Sequence, residues 1–189
     1  GGAYRDACDR MGGSRLAALL VGGDSRSHHY AESDWKALAD GINRLGSRGW
    51  RWSIRTFLRK PPAPAAFLHG LVYGRYLVKP VWWHDCPERV ILDFLGAAEI
   101  VAVTQDSLSM LSEAMAAGKP VLSLVPVDVR HSAFLESVLQ AQQSRRRMIR
   151  VPIARLGDQE VGADQFVTVK SDLAAEYASR AAQLLTSLR

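Results

Sequence analysis

The sequence predicts a single α/β domain built on a doubly wound, mostly parallel sheet. Short apolar runs alternate along the chain with segments of helical periodicity, which is the pattern of parallel strands joined by helices. Glycine or small polar residues follow two of these runs. They would lie at the carboxyl ends of the strands, where helix N-termini and open backbone groups converge in such a sheet. The 189 residues, of which 48% are hydrophobic, suit one domain with a sizeable core.

The first half of the chain predicts two strand–helix pairs. An apolar strand covers Leu16–Val21, and the helix Ala31–Leu45 that follows it ends before a glycine. A second strand, Trp50–Phe57, leads to the proline cluster Pro61–Pro64, which predicts a loop because proline lacks a backbone donor. A helix over Ala65–Leu77 comes next.

The second half continues the alternation. We predict strands at 78–83, 100–104, 120–125 and 148–153, one helix ending near Gly96, and further helices at 107–117, 131–142 and 172–188. Residues 1–14 have the composition of a linker or trimmed end, and residues 156–165 that of a surface loop beside a short strand at 166–169. Residues 15–189 therefore form one Rossmann-like domain in this interpretation.

Composition narrows the classes of function. Cys8 and Cys86 are too few and too far apart for a disulfide framework or a zinc site, so we expect a reducing compartment. No stretch approaches the ~20 uninterrupted apolar residues that cross a bilayer. The chain starts without methionine, which is typical of a trimmed piece. Its net charge of +5 favours anionic partners such as a nucleotide diphosphate, and is too modest to indicate nucleic acid.

A glycine turn follows the first strand. Glycine lets a ligand approach the backbone closely, and the small polar and basic residues after it reach phosphate oxygens. The candidate ligand residues in this turn are Gly22, Gly23, Asp24, Ser25 and Arg26. A turn in which Asp24 or Ser25 caps a helix, with no ligand, explains the same residues equally well. An NAD site is disfavoured because the third glycine of the dinucleotide motif is missing. A phosphate loop of the nucleotide triphosphatases is also disfavoured, because Gly118-Lys119 is followed by a proline and a strand instead of a helix.

The same turn permits a hydrolase interpretation. Gly23-Asp24-Ser25 resembles the nucleophile block of GDS-type serine hydrolases, and the D-x-x-H of Asp128 and His131 supplies the other members of a triad. About sixty residues follow that pair, whereas in such hydrolases the chain ends soon after it. This function stays an alternative.

A second candidate loop lies between Val101 and Val121. An apolar strand leads into Thr104, Gln105, Asp106 and Ser107, and the helix that follows carries Ser109, Met110 and Glu113. The segment closely resembles the donor-binding strand, loop and helix of GT-B glycosyltransferases. That resemblance implies that the N–H groups of Ser109 and Met110 face a diphosphate and that Glu113 binds the ribose hydroxyls. The N-terminus of a helix favours a bound anion, and a carboxylate can accept hydrogen bonds from both hydroxyls of a diol. The alternative interpretation is a capped helix that binds no ligand and whose Glu113 is a solvated surface residue.

Residues 16–126 resemble still more closely the mitochondrial-fission ELM-like family, whose bacterial members are often described as nucleoside-diphosphate-sugar epimerases. The matching residues are Gly22–Ser25, Arg59–Pro62, Val103–Ser107 and Gly118–Val121. The resemblance implies a divergent GT-B fold of which this chain is the C-terminal, nucleotide-binding half, and it adds Arg59 to the candidate ligand residues. The N-terminal acceptor domain would then be the missing partner.

Three functions follow from these patterns. The first is a glycosyltransferase-like protein whose domain binds a nucleotide-sugar, UDP-linked by analogy, as a substrate, with no permanently bound cofactor and no metal. The isolated half would be inactive, and its catalytic residues are unknown. The second is a scaffold that has lost catalysis, and the third is the serine hydrolase. We expect a cytoplasmic location, with peripheral contact to an acidic membrane through Arg145–Arg147 and Arg150.

Overall fold

A computed structural model describes residues 2–57, 63–82 and 89–168. The helices in these ranges are α1 (Gly2–Arg10), α2 (Glu32–Ser47), α3 (Ala63–Leu71), α4 (Ile91–Ala97), α5 (Leu108–Ala116) and α6 (Ala133–Ser144). The strands are β1 (Arg15–Val21), β2 (His28–His29), β3 (Trp50–Thr56), β4 (Leu77–Val81), β5 (Ile100–Thr104), β6 (Val121–Val125), β7 (Asp128–Val129) and β8 (Met148–Pro152). No described helix is long and apolar enough to cross a membrane.

Six strands form one parallel sheet in the order β4-β3-β1-β5-β6-β8. The chain moves outward from β1 through β3 to β4, returns to the other side of β1 as β5, and moves outward again through β6 to β8. The strand order therefore reverses between β1 and β5. In a doubly wound sheet, ligands bind outside the carboxyl ends of the strands at this point.

Two apolar layers cover the sheet, one on each face. Alternate residues of β1 face opposite layers, as the period of a strand requires: Leu19 lies in the first layer and Leu20 in the second. The first layer contains residues of α2 and α3, including Trp35 and Leu68, and the second contains residues of α4, α5 and α6. The doubly wound α/β fold predicted from the sequence is thus confirmed.

Two segments that the sequence assigns to a linker and a loop are ordered elements of the fold. Residues 2–10 form α1, in which Cys8 is fully buried and the Tyr4 ring meets Phe94 edge-on at 5.5 Å. Residues 153–158 form a 3-10 helix whose Leu156 is fully buried against α2 beside Gly41. Residues 2–10 are helical where a linker or trimmed end is predicted, and the predicted loop 156–165 begins inside this 3-10 helix. Few apolar residues of either segment reach the core, so the helical pattern is weak.

Other boundaries shift by a few residues. The predicted helix 65–77 ends at Leu71, and a 3-10 turn at Gly74–Tyr76 leads into β4. Residues 166–168 are not a strand, although Phe166 joins the first apolar layer. The predicted helix at 172–188, Pro61, Pro62 and Arg59 lie outside the described residues. Pro64, assigned to a loop from the sequence, lies in the first turn of α3.

A short antiparallel ladder crosses the carboxyl edge of the sheet. It pairs β2, in the turn after β1, with β7, after β6, so that His28 lies opposite Val129 and His29 opposite Asp128. The ladder brings the two turns together above the ends of the central strands.

Candidate functional site

A groove of ≈ 380 Å³ opens at the carboxyl end of β1 and β5. It is lined by Gly22, Gly23, Phe57, Ile91, Asp106, Ser107, Ser109, Met110 and Glu113. A larger hollow of ≈ 700 Å³ lies at the opposite edge, beside Arg15, Glu99 and Lys119, and touches none of the residues predicted to bind a ligand. We assign the smaller groove as the candidate site, because it combines the point where the strand order reverses with a helix N-terminus.

The glycine turn is closed by groups of the protein itself. The Gly22 N–H donates to Thr104 Oγ1 at 2.7 Å, and the Gly23 N–H donates to Asp106 Oδ2 at 3.1 Å. A Cβ atom added to Gly22 would lie 2.0 Å from Asp106 Oδ2. The close approach that requires glycine at position 22 is therefore made by the Asp106 carboxylate. Ligand binding by Gly22 and Gly23, which line the groove, stays a prediction.

Asp106 is held in place by Tyr30, a residue outside the two predicted ligand-binding segments. The Tyr30 hydroxyl donates to Asp106 Oδ1 at 2.8 Å, and its ring stacks on Trp35 with a centroid distance of 4.8 Å. Burial raises the pKa of the Asp106 carboxyl, and its hydrogen bonds with Gly23, Thr104 and Tyr30 act in the opposite direction. Burial also raises the pKa of Tyr30, with the carboxylate adding to the effect. No local pattern marks Tyr30, since its partner lies 76 residues away.

The first turn of α5 faces the groove. Ser107 is its N-cap, and its hydroxyl accepts the Met110 N–H at 3.4 Å and lies 3.1 Å from Ser109 Oγ. The N–H groups of Leu108 and Ser109 have no partner within the described part of the chain, as expected for the start of a helix. The open donors are therefore those of Leu108 and Ser109, and Met110 is occupied by the cap. Glu113 is exposed in the same groove.

Asp24 and Ser25 also bind within their own turn. Asp24 Oδ1 accepts the Tyr30 N–H at 2.9 Å, while Ser25 Oγ accepts the N–H groups of Ser27 at 3.3 Å and His28 at 3.2 Å. Arg26 is exposed. These contacts fix the path of the backbone between the groove and β2.

Thr104 and Gln105 are almost fully buried, at 0% and 1% exposed. Thr104 accepts the Gly22 N–H, and Gln105 Nε2 donates to Ser123 Oγ at 2.9 Å while its Oε1 lies 3.4 Å from His28 Nε2. Neither side chain lines the groove, and both join the ends of the central strands. Their contact with a ligand stays a prediction.

A chain of hydrogen bonds runs from the glycine turn to β8. His28 Nε2 lies 3.0 Å from His131 Nε2, and His131 Nδ1 lies 2.7 Å from Glu136 Oε2. Glu136 Oε1 accepts from Arg150 at 2.6 Å. Arg150 lowers the pKa of Glu136 to about 2, with a further contribution from His131, and burial lowers the pKa of His28.

This arrangement does not assemble the predicted hydrolase triad. Both ring nitrogens of His131 are engaged by His28 and Glu136, while Asp128 contacts Arg130 at 3.5 Å. The imidazole beside Ser25 is that of His28, with Ser25 Oγ 3.4 Å from Nδ1. The sequence did not single out Glu136, because nothing in its local spacing distinguishes it from a solvated helix residue.

The fold and the groove together define a doubly wound α/β protein with a candidate site where its strand order reverses. The chain belongs to the mitochondrial fission ELM1 family, whose model matches residues 3–180. One solved structure that it resembles is the Moco carrier protein from Chlamydomonas reinhardtii, with 12% sequence identity and a TM-score of 0.45. That match covers 74% of this chain and 91% of the other. Among curated proteins none matches significantly.

Proposed function

We propose that this domain binds the diphosphate of a nucleotide-sugar, UDP-linked by analogy, as the donor-binding half of a GT-B-like protein. One observation carries the proposal: the first turn of α5 leaves the N–H groups of Leu108 and Ser109 open, and Ser109 lines a groove that also contains the exposed carboxylate of Glu113. An anion at this turn meets unpaired donors and the positive end of the helix dipole.

The other groups of the groove suit the rest of such a ligand. The hydroxyls of Ser107 and Ser109 lie beside the open N–H groups and add donors for phosphate oxygens. Phe57 and Ile91 form an apolar wall on which a base or the face of a sugar packs. The volume of ≈ 380 Å³ lies within the range of about 300–1,000 Å³ that is usual for small-molecule sites.

The Asp106 carboxylate determines where a phosphate lies in this proposal. Because Asp106 occupies the Gly23 N–H and repels a second negative charge, the phosphates bind at the α5 end of the groove and not on the glycine turn. Glu113, further along the same helix, then accepts hydrogen bonds from the ribose diol.

Two surfaces outside the groove suit the proposed second domain and the proposed membrane contact. Leu92, Leu108, Val127 and Phe134 are exposed apolar residues at helix starts and in a loop on the carboxyl side of the sheet, where an acceptor domain would pack. Arg145 and Arg147 follow α6, at the other edge, and are the basic residues proposed to contact acidic lipid. The Arg146 guanidinium between them donates to the backbone carbonyls of Asp164 and Gln165. Arg150 does not belong to that surface, since it pairs with Glu136.

A scaffold without catalysis is the second candidate. It is favoured by the closure of the glycine turn, whose Gly22 and Gly23 N–H groups are both satisfied inside the protein. A scaffold and a transferase differ in whether the groove binds nucleotides at all.

Calorimetric titration with UDP tests the proposal. We expect Glu113→Ala to weaken binding by about 1.5–3 kcal/mol, the range for hydrogen bonds to a charged group, or about 10- to 150-fold in Kd. Ser112→Ala, an exposed neighbour on α5, is the matched control and should leave Kd unchanged. Equal affinities for wild type and Glu113→Ala would remove Glu113 as the ribose ligand. No binding of any nucleotide at millimolar concentration would support the scaffold.

A further inference from the structure

The hollow of ≈ 700 Å³ at the amino edge of the sheet is lined by three cationic side chains and one carboxylate. Arg5 lies on α1, Arg15 begins β1, and Lys119 lies in the turn between α5 and β6. The carboxylate is that of Glu99, directly before β5. This edge is opposite the groove that contains Glu113, so the hollow is a separate cavity of the fold.

Glu99 brings the two arginines together. Its Oε1 accepts a hydrogen bond from Arg5 Nη1 at 2.5 Å, and its Oε2 lies 3.6 Å from Arg15 Nε. The same Oε1 also accepts the Leu16 N–H at 3.3 Å. Both guanidinium groups therefore lie against a single carboxylate, which compensates only one of their two charges.

The Lys119 ammonium is the third cation of the hollow. Its Nζ donates to Ala98 O at 2.8 Å and to Gly96 O at 3.3 Å, at the C-terminal end of α4. Burial lowers the pKa of Lys119, the charge of Arg5 acts in the same direction, and Glu99 opposes both. An anion beside Lys119 and Arg5 would relieve this repulsion.

Each of the three cations keeps N–H groups that no described residue accepts. Arg5 uses only Nη1 in its pair with Glu99, and two carbonyl acceptors leave Lys119 one of its three hydrogens. Arg15 Nη2 donates to Val161 O at 2.8 Å, which leaves its Nη1 open. The Arg15 guanidinium also stacks on Trp50, with its Cζ 4.1 Å from the ring centroid, so its orientation is fixed before a ligand binds.

Positive charge is in excess around this cavity. The lining side chains carry three positive charges and one negative charge, a formal net charge of +2. Asp9, also on α1, acts on Arg5 but does not line the hollow. Ion pairing and helix capping explain the position of each cation separately. They do not explain why three cations with open donors surround one cavity.

The charge and shape of the hollow select one class of anion. A phosphate monoester carries about −1.5 to −2 charges at pH 7 and has three acceptor oxygens, which match the net charge and the three cations. Guanidinium groups fit phosphate geometry because they donate pairs of N–H groups. Ala97, Ile100 and Pro120 add apolar surface, and the volume lies within the range of about 300–1,000 Å³ that is usual for small-molecule sites.

We propose that this hollow is a second binding site, which takes a phosphate monoester with a compact apolar body. Arg5, Arg15 and Lys119 hold the phosphate, and the apolar wall contacts the esterified group. The site is independent of the proposed nucleotide groove, since no described residue lines both cavities.

Calorimetric titration of the full chain with phenyl phosphate, at pH 7.5 and in a buffer without phosphate, tests the proposal. The ester is mostly a dianion there, because its second pKa is about 6. We expect one site per chain, with an affinity that decreases as salt is added. Inorganic phosphate lacks the apolar body and benzoate carries a single charge, so both should bind more weakly than phenyl phosphate.

Matched variants locate the bound ester. Lys119→Met should weaken binding about tenfold, the usual size of one charge-assisted hydrogen bond. Lys36→Met is the control, because Lys36 is an exposed lysine of α2 that pairs with Glu32 and lines neither cavity. It should leave Kd unchanged although it alters the net charge equally. If Lys119→Met does not fold, Arg5→Gln tests the same cluster from α1.

Several outcomes would overturn the proposal. The first is no binding of phenyl phosphate at millimolar concentration, and the second is binding that both Lys119→Met and Arg5→Gln leave unchanged. Loss of binding in Glu113→Ala, with retention in Lys119→Met, would assign the ester to the groove instead. Equal affinities for phenyl phosphate and inorganic phosphate would remove the apolar body from the ligand class. Retention of phenyl phosphate binding in Glu113→Ala supports the separate site, whether or not the groove binds a nucleotide.

Discussion

Replacing Gly22 with alanine should break the contact between the two central turns. The new Cβ would lie 2.0 Å from Asp106 Oδ2 and 2.7 Å from its Cγ, so the carboxylate must move away. Asp106 would then lose its hydrogen bonds with the Gly23 N–H and the Tyr30 hydroxyl, each worth about 1.5–3 kcal/mol for a charged acceptor. Return of the carboxylate to water offsets part of this loss, and we expect a net destabilisation of about 2–4 kcal/mol.

Urea unfolding, followed by tryptophan fluorescence, measures this cost in a double-mutant cycle with Asp106→Ala. Without the carboxylate the Cβ has no clash with it, so Gly22→Ala should cost less than about 1 kcal/mol there, which gives a coupling energy above about 1 kcal/mol. Gly70, in α3, is the matched control because nothing lies within 4 Å of its added Cβ, and Gly70→Ala should be neutral or slightly stabilising. Additive effects in the cycle would refute the reasoning.

Two further predictions concern parts of the fold outside the groove. The pKa of Glu136 is lowered from 4.5 to about 2, so its contribution to stability is complete above pH 4.5 and is lost as the pH falls toward 2. In urea unfolding, Glu136→Gln should therefore be less stable than wild type at neutral pH, and its free energy of unfolding should change less between pH 4.5 and pH 2. Parallel stability curves for the two proteins would contradict the pairing of Glu136 with Arg150 and His131. Leu156→Ala should lower the free energy of unfolding by about 2–5 kcal/mol, because Leu156 is fully buried against α2. A loss below about 1 kcal/mol in the same assay would mean that the 3-10 helix is not part of the core.

The sequence predicts the sheet well because its central strands are buried on both faces. β5, Ile100–Thr104, is a continuous apolar run between polar residues, and both of its ends match the prediction. Elements that contribute only one or two side chains to the core give no such signal. α1 contributes the buried Cys8 and an edge contact of Tyr4, and the 3-10 helix at Ile153–Asp158 contributes Leu156, so neither shows a helical apolar stripe.

The position of the candidate site was also predictable, but its internal contacts were not. The rule that ligands bind where the strand order reverses places the glycine turn and the start of α5 side by side. Which groups occupy the space between them depends on contacts such as Gly23 with Asp106, which are 83 residues apart. Spacing patterns describe neighbours along the chain, so they do not reveal Tyr30, His28 or Glu136 as partners.

The pairing of Gly22 with Asp106 changes the weight of the two motifs from which the site was inferred. Taken separately, a glycine after the first strand and an aspartate after the fifth are two independent indications of a phosphate site. In the structure each accounts for the other, because the carboxylate fills the space that a Cβ would need. The two residues therefore count as one structural feature, and the inference of a nucleotide site depends on the groups that remain. These are the open N–H groups of Leu108 and Ser109, and Glu113.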